Sequence, residues 1–248
     1  MPLFVLLAPV APNYAGEVPD KTVATEERLK IDVSVAPFLS YSRMDAEDRS
    51  NGAKAAVPSK TNFGGEFKLR ETWGTHFSSE AIVQIEEKTY QTKSGRTFSE
   101  NGGLVFNFGM ALGIKPFNRY ENLQVIIKAL YGDEFYLRAP DITSLAVDSA
   151  KSLKADLALH LDVFTSKYAS SGLGGGARVI VPTYIDAPGV SYRARTGYGY
   201  FGTVYMRHAF KVVTFEESFT YEVDTKNTAL FNQTQTAVYF KSELTFHF

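Results

Sequence analysis

The sequence predicts an all-β fold, a transmembrane antiparallel up-and-down β-barrel of ten strands, with twelve as the alternative. Three observations carry this expectation. From Leu29 onward apolar and polar residues alternate with period two, the pattern of strands with one apolar face. The aromatic content is 14%, with 19 Phe and 14 Tyr against one Trp, a composition that suits strands. Tight turns alternate with long polar connections, as they do between the two ends of a membrane barrel.

The first strand sets Leu29, Ile31, Val33 and Val35 opposite Lys30, Asp32, Ser34 and Ala36. The second sets Phe63, Gly65, Phe67 and Leu69 against Gly64, Glu66, Lys68 and Arg70. Ala81, Val83 and Ile85 interleave with Glu80, Ile82, Gln84 and Glu86. The clearest alternation runs Leu104, Phe106, Phe108, Met110, Leu112, Ile114. Leu123, Val125, Ile127 and Ala129 follow, with Gln124 and Lys128 opposite.

Leu153, Ala155, Leu157, Leu159, Leu161 and Val163 face away from Lys154, Asp156, Ala158, His160 and Asp162. At 100° per residue a helix would spread those apolar residues around its cylinder, so only a strand gathers them on one face. Ala177, Val179 and Val181 mark the next strand, and Tyr192 to Tyr200 the one after it, with Arg193 and Arg195 on its polar side. Val213, Phe215, Phe219 and Tyr221 oppose Thr214, Glu216, Ser218 and Thr220. The last strand sets Val238, Phe240, Leu244, Phe246 and Phe248 against Tyr239, Lys241, Glu243, Thr245 and His247.

Between the strands, Thr72-Trp73-Gly74-Thr75 and Arg207 to Lys211 are short links. Arg43 to Thr61, Gln91 to Gly103 and Asp224 to Gln235 are expected as long polar loops. Gly132 to Ser152 is open to two readings, an extra hairpin or a loop, and this stretch holds the alternative of twelve strands.

Composition removes several classes of function. With 26 basic and 27 acidic residues the net charge is -1, so there is no basic surplus for nucleic acid. The absence of cysteine excludes disulfide scaffolds, thiolate zinc sites and cysteine nucleophiles. No apolar run reaches the ~18 residues of a membrane helix. Leu3-Phe4-Val5-Leu6-Leu7-Ala8 reads as the apolar region of a signal peptide with cleavage after Ala15, so residues 1–15 are expected to be its remnant.

Alternation alone fits a soluble sandwich or a lipocalin-like barrel as well as a membrane barrel. Tyr near strand ends, the near absence of Pro within strands and polar faces of mixed charge favour the membrane. On that reading the polar faces line the lumen. The candidates are Lys68 and Arg70, then Glu80 and Glu86, then Lys128, followed by Lys154, Asp156, His160 and Asp162. Arg193, Arg195 and Arg207 would form a cationic strip beside Gly197 and Gly199, where the lumen stays open. Glu216 and Glu222, with Lys241 and Glu243, complete the set.

The chain end closes on Phe240-Lys241-Ser242-Glu243-Leu244-Thr245-Phe246-His247-Phe248. It resembles the carboxy-terminal signature of Gram-negative outer-membrane β-barrel proteins, a porin-like small barrel among them. The resemblance implies that Phe240, Leu244, Phe246 and Phe248 form an assembly signal. It also implies outer-membrane lipid, lipopolysaccharide and the barrel assembly machinery as partners, a bacterial outer-membrane location, and residues 16–28 as a periplasmic segment before a barrel domain spanning 29–248.

For chemistry, His160 and Asp162 share a strand face, and of four histidines, His76, His160, His208 and His247, none has a serine at a telling spacing. The expectation is therefore no catalytic residue, no metal site and no cofactor, with His160 in a lumen hydrogen-bond network. The catalytic motifs of barrel proteases, phospholipases and deacylases find no match here. Gly172 and Gly174 to Gly176 lack a following Lys-Ser or Lys-Thr, so they read as a turn, not a phosphate loop. The expected function is a narrow channel for small polar solutes, with a non-conducting surface-binding barrel as the alternative and a membrane hydrolase behind both.

Overall fold

The structure is a computed structural model that describes residues 29–94, 97–116, 122–141, 144–184 and 194–248. The expected signal segment and residues 16–28 lie outside the described residues. The strands are β1 (Lys30–Asp48), β2 (Lys54–Pro58), β3 (Asn62–Trp73), β4 (Phe77–Ser94), β5 (Thr97–Ile114) and β6 (Leu123–Asp141). They continue with β7 (Ser144–Thr165), β8 (Ala169–Tyr184), β9 (Gly197–Ala209), β10 (Val213–Asn227) and β11 (Phe231–His247). Each wall strand pairs antiparallel with its neighbour in sequence, and β11 returns to β1, so the sheet closes.

Eleven strands make ten wall positions, because β2 and β3 pair with successive stretches of β1. Arg43 faces Pro58 in one ladder and Ser40 faces Asn62 in the other. Two β1 residues, Tyr41 and Ser42, therefore oppose Ser59 to Thr61, a β-bulge. Ser59 bridges the irregularity: its N–H donates to the Ser42 carbonyl at 2.7 Å, and its Oγ accepts the Ser42 N–H at 2.8 Å.

The strands outrun the sequence reading. Most of the expected loops Arg43–Thr61, Gln91–Gly103 and Asp224–Gln235 are strand, since β1, β4 and β10 run on to Asp48, Ser94 and Asn227. Their outer residues are polar and their inner ones mix Met44, Ala46 and Phe231 with buried Lys226, Gln233 and Gln235, so the apolar-polar contrast that marks the lower strands is absent. The Gly172–Gly176 run is the middle of β8, not a turn. The strand expected from Tyr192 begins at Gly197, and residues 185–193 lie outside the described ones.

Outward faces carry the apolar residues: Phe67, Val83, Phe108, Leu157, Phe219 and Phe240 are all exposed. Tyr41, Tyr198, Tyr200 and Tyr221 ring this belt toward one end, and Trp73, Phe77, Tyr168 and Phe210 ring it toward the other, the two aromatic girdles of a membrane-spanning barrel. The end with short turns holds the start of β1 and the end of β11. By the usual asymmetry of such barrels it is the periplasmic end, and the long hairpins are extracellular.

One hairpin leaves the wall. β5 pairs with β6 only as far as Asn107↔Gly132, and β7 pairs with β8 only from Lys151 onward. Beyond these points β6 and β7 pair with each other alone, through Asp133↔Lys151 to Arg138↔Ala146. The doubled strand turns into the barrel at Gly132, where a Cβ would stand 2.0 Å from Asn107 Oδ1 and 2.4 Å from the Phe106 carbonyl. Only glycine fits that approach. Phe135, Leu137 and Val147 then bury against Met44, Tyr90, Val105 and Phe231 from the inner faces of β1, β4, β5 and β11. This apolar plug fills the extracellular end. Gly132 to Ser152 is thus a hairpin extension of two wall strands, and the count stays at ten.

Candidate functional site

The lumen below the plug is lined by ion pairs laid along the wall. Lys68 Nζ on β3 reaches Glu243 Oε2 on β11 at 2.6 Å, and Lys241 Nζ on β11 reaches Glu66 Oε1 on β3 at 3.1 Å. Both cross β1 beside buried Ser34 and Ala36, while Phe38, which faces Lys241, lays its ring over Gly64. Small residues on the intervening strand let the long side chains lie flat. Arg70 pairs with Glu80 directly across the β3–β4 ladder. Glu86 accepts the Ser40 hydroxyl and lies 3.6 Å from Lys88 Nζ.

A second group is centred on β8. Arg178 donates to Asp156 through Nε at 2.7 Å, to Glu222 through Nη1 at 2.8 Å, and to Asp224 at 3.3 Å. Its guanidinium lies over the Phe201 ring at 5.4 Å. Lys128 reaches the other Asp156 oxygen at 3.2 Å. Nearer the plug, Glu134 on the hairpin accepts from both Lys154 and Lys226. Lys226 also donates to the Phe135 carbonyl at 3.2 Å and to Gln235 Oε1.

Toward the periplasm, Arg207 donates to Glu216 at 2.8 and 3.0 Å. Asp162 accepts the Tyr205 hydroxyl at 2.7 Å, and His160 stacks on the Tyr205 ring at 5.7 Å. Their shared strand face therefore does not make His160 and Asp162 a dyad; the tyrosine stands between them chemically. Inward glycines of β8 make the room, since a Cβ at Gly174 would stand 2.8 Å from His160 and one at Gly172 2.4 Å from the Tyr205 oxygen.

Among the described residues Arg195 and Arg207 do not share the expected strip. Arg193 lies outside the described residues, and Arg195 is exposed ahead of β9, its N–H donating to the Asn227 carbonyl at 2.7 Å. Arg207 sits at the opposite end of β9. Nor do Gly197 and Gly199 open the lumen: a Cβ at Gly199 would stand 1.9 Å from Asp224 Oδ1, and one at Gly197 3.4 Å from the Lys226 side chain. Phe240, Leu244, Phe246 and Phe248 all face outward and are exposed, and the Phe248 N–H donates to the Ile31 carbonyl at 3.0 Å.

Sequence reading missed Arg178, although it alternates with Ala177 and Val179 and so was legible once the glycine run is strand. Asp224 and Lys226 were hidden by the loop assignment. Glu134 and Gln233 had no signal, because their role depends on a hairpin folding inward. Below the plug a cavity of about 380 Å³ at the periplasmic mouth runs into one of about 200 Å³, the two sharing Lys241, Glu216, His160 and Tyr205.

No protein-family model and no curated protein matches this sequence. Solved structures do match in fold. The outer membrane protease OmpT from Escherichia coli is 12% identical, with 90% of this chain and 98% of that one covered, at a TM-score of 0.52. An outer membrane channel from Pseudomonas putida F1 is 8% identical, covering 93% and 100% of the two chains at a TM-score of 0.48. The translocator domain of autotransporter NalP from Neisseria meningitidis is 8% identical, covering 86% and 88% at 0.46. The closed wall, its apolar belt and its aromatic girdles define the class: a transmembrane β-barrel with the fold of Gram-negative outer-membrane barrels. A likeness of fold at 12% identity concerns the scaffold and not an activity.

Proposed function

We propose that the barrel is a passage for small polar solutes across the outer membrane, closed in this structure, and that the β6–β7 hairpin is its gate. The supporting observation is how the hairpin is held. It pairs with neither β5 nor β8, so moving it breaks no ladder of the wall. Side chains fasten it instead, chiefly Gln233 to the Leu137 backbone at 3.0 Å and Lys226 to Glu134. These contacts and the apolar packing of Phe135, Leu137 and Val147 hold the hairpin without any ladder to the wall. Cations and carboxylates pair along the lumen, so selectivity between ions of opposite sign should be weak.

The test is planar-bilayer recording on refolded protein. The intact chain should give rare, small current steps, and the Gln233→Ala/Lys226→Met variant frequent and larger ones. Silence from both, with folding verified, would remove the passage. One observation favours a second reading, a non-conducting barrel whose extracellular hairpins bind a partner: a buried apolar cluster packs the hairpin against the wall at that end.

A further inference from the structure

At the periplasmic mouth three side chains stand in an order that the lumen network does not use. We propose that Thr214, His247 and Asp32 form an acyl-transfer triad that opens into the vestibule, with Thr214 as nucleophile toward small esters. The residues come from three adjacent strands, β10, β11 and β1. His247 faces Asp32 directly in the β11–β1 ladder, and Thr214 faces Thr245, two residues from His247 on the same inward face.

The geometry is specific. His247 Nδ1 lies 2.8 Å from Asp32 Oδ1, and His247 Nε2 lies 2.8 Å from Thr214 Oγ1. A carboxylate can only accept, so the Nδ1 proton donates to Asp32. In the neutral ring Nε2 is then the acceptor, and the Thr214 hydroxyl donates to it. Nucleophile, base and orienting carboxylate thus follow in the sequence that activates a hydroxyl. The His247 side chain is 37% exposed while Asp32 is 14% exposed, so the ring meets water and its orienter is sheltered. His247 and Thr214 both line the cavity of about 380 Å³ at the mouth.

Arg207, two residues along β9 from Ala209, which faces Thr214, is held by Glu216 at 2.8 and 3.0 Å, so the triad stands on its three residues alone. In the reaction Thr214 Oγ attacks the ester carbonyl carbon and its proton passes to His247 Nε2. The bond to the alcohol oxygen breaks, His247 returns the proton to that oxygen, and the free alcohol departs from an acyl-threonine. Water then attacks the acyl carbon, giving its proton to His247 and from there to Thr214 Oγ, and the acid leaves. No oxidant or metal takes part. The vestibule's volume restricts the substrate to a short acyl chain entering from the periplasmic side.

The experiment uses refolded full-length barrel in detergent with p-nitrophenyl acetate, each variant first shown to be folded by its heat-dependent gel mobility. Thr214→Ala, which removes the attacking oxygen, should bring hydrolysis down to the uncatalysed background, and Thr214→Ser should keep it. Asp32→Asn should lower the rate and displace its pH profile, as expected for a positioning residue that fixes the ring's tautomer. A Thr214→Ala protein that hydrolyses the ester as fast as the parent overturns the proposal, and leaves the three residues as a hydrogen-bonded clamp on the last strand.

Discussion

The side-chain amide of Gln233 on β11 hydrogen-bonds both backbone groups of Leu137 on β6, accepting its N–H at 3.0 Å and donating to its carbonyl at 3.0 Å. β6 and β11 lie on opposite sides of the barrel order. The contact exists because the hairpin gave up its wall neighbours on entering the lumen, and buried backbone groups need partners. One glutamine stands in for a strand.

Gln233→Leu should therefore release the hairpin. It leaves a buried N–H and C=O unpaired at a cost of about 1–3 kcal/mol for each group. Limited proteolysis from the extracellular side should cut the hairpin in the variant and spare it in the parent, while the wall stays folded. Equal resistance in both proteins would show that the apolar cluster alone holds the plug.

Arg178 compensates carboxylates from two directions, Asp156 on β7 and Glu222 and Asp224 on β10. Arg178→Met should destabilise the barrel by roughly 3–5 kcal/mol, the cost of breaking a buried pair on one side only. Adding Glu222→Gln and Asp224→Asn should recover part of the loss, because those carboxylates no longer lack a partner while Asp156 keeps Lys128. Urea unfolding in lipid vesicles measures both. An Arg178→Met protein as stable as its parent would mean that lumen water screens these charges.

Leu157 and Asp156 are neighbours on β7 with opposite surroundings: Leu157 is 56% exposed on the outer belt, and Asp156 is buried inside. Leu157→Arg should cost about 2–4 kcal/mol in a bilayer if it lies near the midplane. The same change should have little effect in a flexible detergent micelle. A Leu157→Arg barrel that refolds into vesicles with unchanged stability would contradict the placement of this face in lipid.

Phe248 is exposed beyond the last ladder, with one backbone bond to Ile31. Deleting it should barely alter refolding in detergent, since little packing is lost. In cells the outer-membrane yield should fall severalfold if the terminal aromatic is an assembly signal. Immunoblots of membrane fractions read the difference, and equal yields would leave the residue without that role.

The sequence alone determined the class of fold and the inside and outside of nearly every strand. Period-two alternation does this because successive side chains must point to opposite faces, so Leu157 and Asp156 are assigned without coordinates. Ten wall positions were legible for the same reason. Past Arg43 and Asp224 the outer face is polar and the buried inner face is largely polar too, with Lys226, Gln233 and Gln235 beside Met44 and Phe231, so alternation carries little contrast and strand reads as loop. Where glycines line the inner face, as at Gly172 to Gly176, composition imitates a turn although the aromatic side chains of other strands fill the space. Only the tertiary structure could bring Gln233 to Leu137, Arg178 to Glu222, or Thr214 and Asp32 to His247. Those meetings depend on register between strands, on an inward bend at Gly132 and on closure of β11 onto β1, and no local pattern encodes them.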